Sequence, residues 1–205
     1  MKKGLRLAVF GHKRIPSREG GVEIVAEELA VRMAGRGYQV TCINRKGHHV
    51  SGAEYDGQRL DSYKGVKIET APTIEKSGMA AASASFFATL KVALGRYDVV
   101  HIHAEGPAFF CWLLKLAGKR VVCQCHGLDH ERPRWKGNLG GWYIKQGEKK
   151  MVKHADEIIV LSKNIQKYFK SVYGRRTVYI PNGVRRPELK GASLIKEKWQ
   201  LRKDS

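Results

Sequence analysis

Three short stretches of this 205-residue sequence carry side chains able to do chemistry. The first runs Gly11-His12-Lys13-Arg14-Ile15-Pro16-Ser17-Arg18-Glu19-Gly20-Gly21. Two adjacent glycines ahead of a helix let backbone N–H groups come close to a ligand, and the helix N-terminus adds a partial positive charge that suits a phosphate. Lys13, Arg14 and Arg18 add to that charge. The spacing is neither GxGxxG nor a P-loop, so the dinucleotide and ATP-type readings fail. A turn that simply needs glycine geometry explains the Gly-Gly pair equally well. The second stretch is His126-Gly127-Leu128-Asp129, directly after an apolar run. An imidazole at the carboxyl end of a strand can polarise a bound ligand, or it can cap the strand. The third is His101 and His103, two apart, followed by Glu105-Gly106-Pro107. Three histidines invite a metal, but no carboxylate pair at ligand spacing completes a set, and no metal is expected. Glu105 can bind a hydroxyl or cap the helix that Pro107 begins. Arg132, Arg134, Trp135 and Lys136 form a basic loop with an aromatic. Such a loop can clamp phosphate, stack a ring or meet nucleic acid.

These residues sit between elements that alternate strand and helix. Leu5 to Phe10, Gln39 to Asn44, Val66 to Thr70, Asp98 to His103, Lys119 to Cys125, Glu157 to Leu161 and Thr177 to Ile180 read as strands. Val22, Val25, Leu29 and Met33 recur at helical spacing and are expected to face the core, with Glu23, Glu27, Glu28 and Arg32 elsewhere. Phe86, Phe87, Leu90 and Leu94 are the expected core stripe of a helix over 80–94. Further helices are expected from Gly106, over 142–154 and over 163–173, whereas 45–65 shows no strong element. The alternation argues for a Rossmann-like, doubly wound α/β fold with a mostly parallel sheet. Ligands in such sheets lie at the carboxyl ends of the strands, where all three stretches fall.

Composition bounds the partners. Thirty-eight Lys and Arg against nineteen Asp and Glu give a net charge of +19, which favours an anionic partner. Lys145, Lys149 and Lys153 recur every four residues, a basic helical pattern that suits an anionic membrane surface or a solvated face. Cys42, Cys111, Cys123 and Cys125 show no metal or disulfide spacing and read as reduced, mostly buried thiols of a cytoplasmic protein. No run reaches the roughly 18 apolar residues of a spanning helix.

Taken in order, several segments resemble one family. They are Ile15-Pro16…Gly20-Gly21-Val22-Glu23, Val99 to Pro107, His126-Gly127-Leu128-Asp129 with Arg134-Trp135-Lys136, Glu148, Ala155-Asp156, Leu161-Ser162 and Ile180-Pro181-Asn182-Gly183-Val184. The set is similar to the N-terminal half of family-4 glycosyltransferases of the GT-B fold, and most similar to a rhamnosyltransferase-like subgroup. The resemblance implies two Rossmann-like domains around a cleft, and transfer from a nucleotide-sugar with retained configuration and no metal or other cofactor. The N-terminal domain would take a saccharide or lipid-linked acceptor of polysaccharide synthesis. It implies that Gly20 and Gly21 approach the donor, with Ser162 and Asn182 lining the cleft beside it. His126 would approach the transferring sugar, and Glu105, Asp129 and Arg134 would be acceptor-side residues.

On that resemblance, residues 1–184 form the acceptor-side domain and 185–205 a linker towards a donor domain that is not present. The expectation is that these 205 residues alone do not turn over, since a site assembled from two domains loses most of its binding when one is missing. The competing reading is a basic Rossmann-like module that binds nucleic acid or anionic membrane without catalysis. Its basic residues are scattered and match no RNA- or DNA-binding motif, so no specific nucleic acid is expected.

Overall fold

A computed structural model describes residues 4–17, 20–47, 60–76 and 79–184. Short apolar runs become strands: β1 (Arg6–Phe10), β2 (Gln39–Arg45), β3 (Ser62–Tyr63), β4 (Val66–Ala71), β5 (Val99–His103), β6 (Arg120–Cys125), β7 (Glu157–Val160) and β8 (Val178–Tyr179). Between them lie the helices α1 (Gly21–Gly35), α2 (Ala80–Leu94), α3 (Cys111–Leu116), α4 (Leu139–His154) and α5 (Lys163–Tyr173). Two single 3-10 turns, Pro107–Phe110 and Asp129–Glu131, precede α3 and α4.

The strands form one sheet in the order β3-β4-β2-β1-β5-β6-β7-β8. Every pairing is parallel except that of β3 with β4. β3 lies in the stretch where no strong element is expected, and most of that stretch, 48–59, is outside the described residues. β1 pairs with β2 on one side and β5 on the other. The chain leaves β1 towards β2 and returns to β5 across it, so the connections diverge at the carboxyl ends of β1 and β5 and open a crevice there.

Alternation along each strand sends side chains to two cores. Ala8, Phe10, Val100, Ile102, Val121, Cys123, Cys125, Ile158 and Val160 pack with residues of α2 to α5. Val9, Val40 and Cys42 pack with Ala26 and Ala30 of α1 and with Ile15. Each large side chain fully withdrawn from water contributes roughly 1.5–3 kcal/mol. All four cysteines are buried and free.

Two helix faces differ from expectation. The buried residues of α1 are Glu23, Ala26, Glu27 and Ala30, whereas Leu29 is exposed and Val22, Val25 and Met33 are only partly covered. In α2 the buried residues are Ala84, Ser85, Ala88, Thr89 and Val92, while Phe86, Leu90 and Leu94 are exposed. Both helices lie close to the sheet, so small residues occupy the contact and larger ones are displaced to the flanks. Ile24, Val25, Leu29 and Met33 line an open groove of about 700 Å³ over the sheet beside α1, with segment 180–184 as its other wall. Glu23 and Glu27 are tolerated inside because both are bonded: Glu23 accepts the Lys13 N–H at 3.0 Å, and Glu27 accepts the Tyr63 hydroxyl at 3.3 Å.

Candidate active-site cleft

The crevice at the carboxyl ends of β1, β5 and β6 collects the first loop, the histidines and the 126–136 loop. Gly11, one residue past β1, has φ +101°, and a Cβ there would sit 2.1 Å from the His103 carbonyl oxygen. Glycine lets the β1 exit pass against the end of β5. Beyond it the loop is fastened by Asn44 of β2. The Asn44 amide accepts the Ile15 N–H at 3.1 Å and donates to the Ile15 carbonyl at 2.9 Å, and its oxygen lies 3.1 Å from His12 Nε2. Ile15 is fully buried, so these bonds form out of water. The Ile15–Pro16 peptide is cis.

Gly20 caps α1 in an extended conformation. A Cβ on it would lie 2.1 Å from the Glu23 carboxylate, whereas a Cβ on Gly21 would meet nothing within 4 Å. A side chain at Gly20 would oblige the Glu23 carboxylate to shift, and one at Gly21 would start clear of the described residues at the helix N-terminus. Arg18 and Glu19 lie outside the described residues.

His126 follows β6. Its Nε2 is 3.0 Å from His103 Nδ1, and the two rings stack at 5.2 Å. His103 in turn lies 4.4 Å from the His101 ring and 6.4 Å from that of His12. Among the described residues no group of three His, Cys, Asp or Glu is arranged to hold a metal ion. Burial lowers His126 to about 4, against the opposing attraction of Glu23. Burial, with repulsion from His126, lowers His101 to about 4 as well. Burial, with repulsion from His101 and His126, puts His103 well below the ordinary imidazole range. At pH 7 these rings are neutral, and His126, only partly covered, has one ring nitrogen committed to His103.

Glu105 is fully buried. Its carboxyl receives the Cys125 thiol and the Asp129 N–H, each at 3.4 Å. Burial, reinforced by Asp129, pushes it up to about 8. It thus holds the 126–131 loop to the end of β6 instead of opening to the crevice. Asp129, half-buried, pairs with Arg132 Nε at 2.8 Å. Arg134 is exposed, with its guanidinium 4.9 Å from the Trp135 ring centre. Ser162 caps α5 by accepting the Ile165 N–H at 3.2 Å. Asn182 lines the groove beside α1. His126, Gly20 and Asp129 thus belong to segments following β1 and β6, with Gly21 opening α1; Glu105 is buried beneath them, Ser162 is committed to the α5 cap, and Asn182 lines the groove beside α1.

One cluster was not legible from spacing. Fully buried Glu148 of α4 accepts Lys145 Nζ at 2.8 Å, the Tyr168 hydroxyl at 2.9 Å and the Tyr173 hydroxyl, and its other oxygen is 3.3 Å from His130 Nδ1. Burial works against the Lys145 charge, but the bonds to Glu148, Tyr168 and Tyr173 outweigh it and raise its pKa. Lys145 is therefore turned inward and does not share the outward stripe expected for it with Lys149 and Lys153. The cluster ties the 126–131 loop, through His130, to α4 and α5. The signals in the sequence were Glu148 itself, the single acid among the lysines of α4, and its place in the family resemblance.

The histidines and Glu105 set an acid–base prediction. The unfolded chain takes up protons on imidazoles near pH 6.5, but the folded chain takes them on His101 and His126 only near 4, so these rings cost stability as pH falls through that window. Glu105 acts oppositely: the folded chain keeps its proton up to about pH 8, so stability falls as pH rises towards 8. Below pH 6.5 two histidines outweigh one carboxyl, a net loss of ~1.4 kcal/mol per pH unit or more. Urea unfolding at pH 4.5, 5.5, 6.5 and 8 is expected to show maximal stability near 6.5. Constant stability from 6.5 down to 4.5 would contradict this.

Comparison with known proteins follows the same lines. The family model described as Glycosyltransferase Family 4 matches residues 19–186. No curated protein sequence gives a match. Among solved structures, a sucrose-phosphate synthase from Thermosynechococcus elongatus superposes with TM-score 0.71 at 15% identity, covering 98% of this chain and 53% of that one. A ugt transferase from Siraitia grosvenorii in complex with UDP gives TM-score 0.56 at 8% identity, covering 95% and 54%. Arabidopsis thaliana UGT89C1 complexed with UDP-L-rhamnose gives 0.56 at 11%, covering 97% and 56%. The chain spans about half the length of these structures. Its sheet matches the N-terminal Rossmann-like half of the GT-B fold.

Proposed function

This chain belongs to glycosyltransferase family 4, and from that premise we propose that its 205 residues form the acceptor-side half of a retaining glycosyltransferase that uses a nucleotide-sugar. What supports this reading is that Gly21, at the N-terminus of α1 after β1, and neutral His126, directly after β6, both follow the carboxyl ends of central strands of the sheet. N–H groups at the start of α1 suit the diphosphate, on which negative charge develops as the sugar departs. Neutral His126 can exchange a hydrogen bond with a sugar hydroxyl or carbonyl without bringing a second charge. Lys13 and Arg14 add positive field at the same edge.

In this reading Asp129 and Arg134 meet a saccharide or lipid-linked acceptor, and Glu105 acts on it through the 126–131 loop that it fastens. Ser162 and Asn182 contribute from the side where a donor-binding half would face the crevice. The rhamnosyltransferase-like assignment rests on the order of the motifs from Ile15 to Val184. The structures bound to UDP and UDP-L-rhamnose support a nucleotide-sugar donor by analogy of fold alone. Taken by themselves, these 205 residues are expected to bind such a donor weakly and to give no turnover, because a cleft shared by two domains divides its ligand contacts between them. Titration with a panel of nucleoside diphosphate sugars at millimolar concentration, followed by amide resonances, is expected to shift Gly20, Gly21 and His126 first. Shifts confined to other surfaces would reject the reading.

A further inference from the structure

Large apolar side chains displaced outwards by the small-residue contacts of α2 do not end as isolated exposed residues. Phe86 of α2 packs edge-on against Phe110 at 5.3 Å, Phe110 against Phe109 at 5.0 Å, and Phe109 stacks on Tyr143 of α4 at 5.0 Å. A row of aromatic rings, each at least partly open to solvent, therefore runs from α2 across the 3-10 turn to α4. It leads into the outward face of α4, where Leu139 is 85% and Trp142 59% exposed. Spacing places Gln146, Lys149 and Lys153 on that same face, with Lys150 at its edge. Among the described residues none of Lys149, Lys150 and Lys153 has a carboxylate partner in an ion pair. Lys145, which has one, points inward.

We propose that this face, the aromatic row with Leu139, Trp142, Lys149, Lys150 and Lys153, docks on an anionic lipid bilayer. The charge is what selects a bilayer over another occupant. Apolar and aromatic groups sit beside unpaired cations of one sign, on a chain whose net charge is +19. Aromatic rings favour the level of the headgroups, and lysines beside them reach the lipid phosphates with their apolar stems against the acyl boundary. Each lysine at a negatively charged surface adds favourably, and the attraction weakens with salt. A protein partner or second copy would leave these lysines to be matched by carboxylates, and the described residues named on this face include none for a copy to offer. The docking does not depend on the transferase reading. Its consequence does: a bilayer held against α4 lies beside the 126–136 loop, and the acceptor is then carried on a lipid.

The test is sedimentation of the 205-residue chain with vesicles of phosphatidylcholine, alone or mixed with phosphatidylglycerol. Binding is expected to rise with the anionic fraction and to fall as salt is raised. Lys149→Glu with Lys153→Glu is expected to weaken it roughly tenfold or more. Leu139→Ser with Trp142→Ala is expected to weaken it severalfold at constant charge. All four positions are exposed, so thermal melts should be unchanged. No binding to anionic vesicles at low salt overturns the proposal. So does wild-type binding by the Leu139/Trp142 variant, which would leave only diffuse attraction. Self-association in light scattering that these variants abolish, without vesicle binding, would assign the face to a second copy and also overturn it. Vesicle binding with no response to nucleotide-sugars would keep the docking and reject the transferase reading.

Discussion

Glu148→Ala is expected to cost ~2–4 kcal/mol of stability. The carboxylate is fully buried and is the shared acceptor of Lys145, Tyr168 and Tyr173, with His130 3.3 Å from its second oxygen. Lys145 is 31% exposed, so water partly replaces its lost partner, and the cost falls mainly on the hydrogen bonds lost inside the cluster. The two tyrosine hydroxyls lose an acceptor as well. For a domain whose whole stability is of the order of 5–15 kcal/mol, a loss of that size is a large share. The expected shift in melting temperature is about 10 °C. Glu148→Gln keeps an acceptor for the tyrosines and is expected to cost clearly less. Hydrogen exchange should speed up in 126–131 and α5 of the alanine variant, because His130 and the tyrosines bring those segments together. Urea unfolding that places Glu148→Ala within 1 kcal/mol of wild type would show that the cluster holds nothing.

Asn44→Ala is expected to cost ~3 kcal/mol and to disorganise the first loop. The amide satisfies both the N–H and the carbonyl of Ile15 and lies 3.1 Å from the His12 ring. With alanine, two backbone groups and one imidazole lose their partner in a buried setting, each at ~1–3 kcal/mol, partly recovered by relaxation or water. Because the loop leads into Gly20, the same variant should lose its response to nucleotide-sugars. Asn44→Asp keeps the acceptor for the Ile15 N–H but sets a carboxylate oxygen against the Ile15 carbonyl, so it is expected to fall between alanine and wild type. A fully stable Asn44→Ala chain would mean that Ile15 is held by core packing alone.

Apart from β3, the strands were legible as short runs, mostly apolar and set off by glycine or polar residues, as in β1 just before Gly11 and β6 just before His126. Their alternation with helices carried the fold class. The buried faces of α1 and α2 were not legible. Size suggested that Leu29 and Phe86 point inward, but a helix packed close to a sheet buries Ala26, Ala30, Ala84 and Ala88 and turns the large residues aside. His126 could be placed from its position at a strand end, and the two-residue spacing of His101 and His103 put them on one face. What the sequence could not show was that their rings stack and that burial keeps them neutral. Asn44 stood out by no motif, and Glu148 appeared only as one position of the family resemblance, with no partners assigned. Each acts through partners far along the chain, Ile15 and Tyr168 among them, and contacts of that kind exist only once the fold is closed.

The central claim is that a nucleotide-sugar sits at the start of α1, opposite His126. Gly21 tests it directly, because a Cβ added there meets none of the described residues within 4 Å. Amide-resonance titrations with nucleoside diphosphate sugars should therefore be run on the wild-type chain and on Gly21→Val. The account predicts that wild type shows shifts at Gly20, Gly21 and His126, and that Gly21→Val, with an unchanged melt, shows none there. Shifts of equal size in both chains, or none in wild type at millimolar ligand, would contradict it.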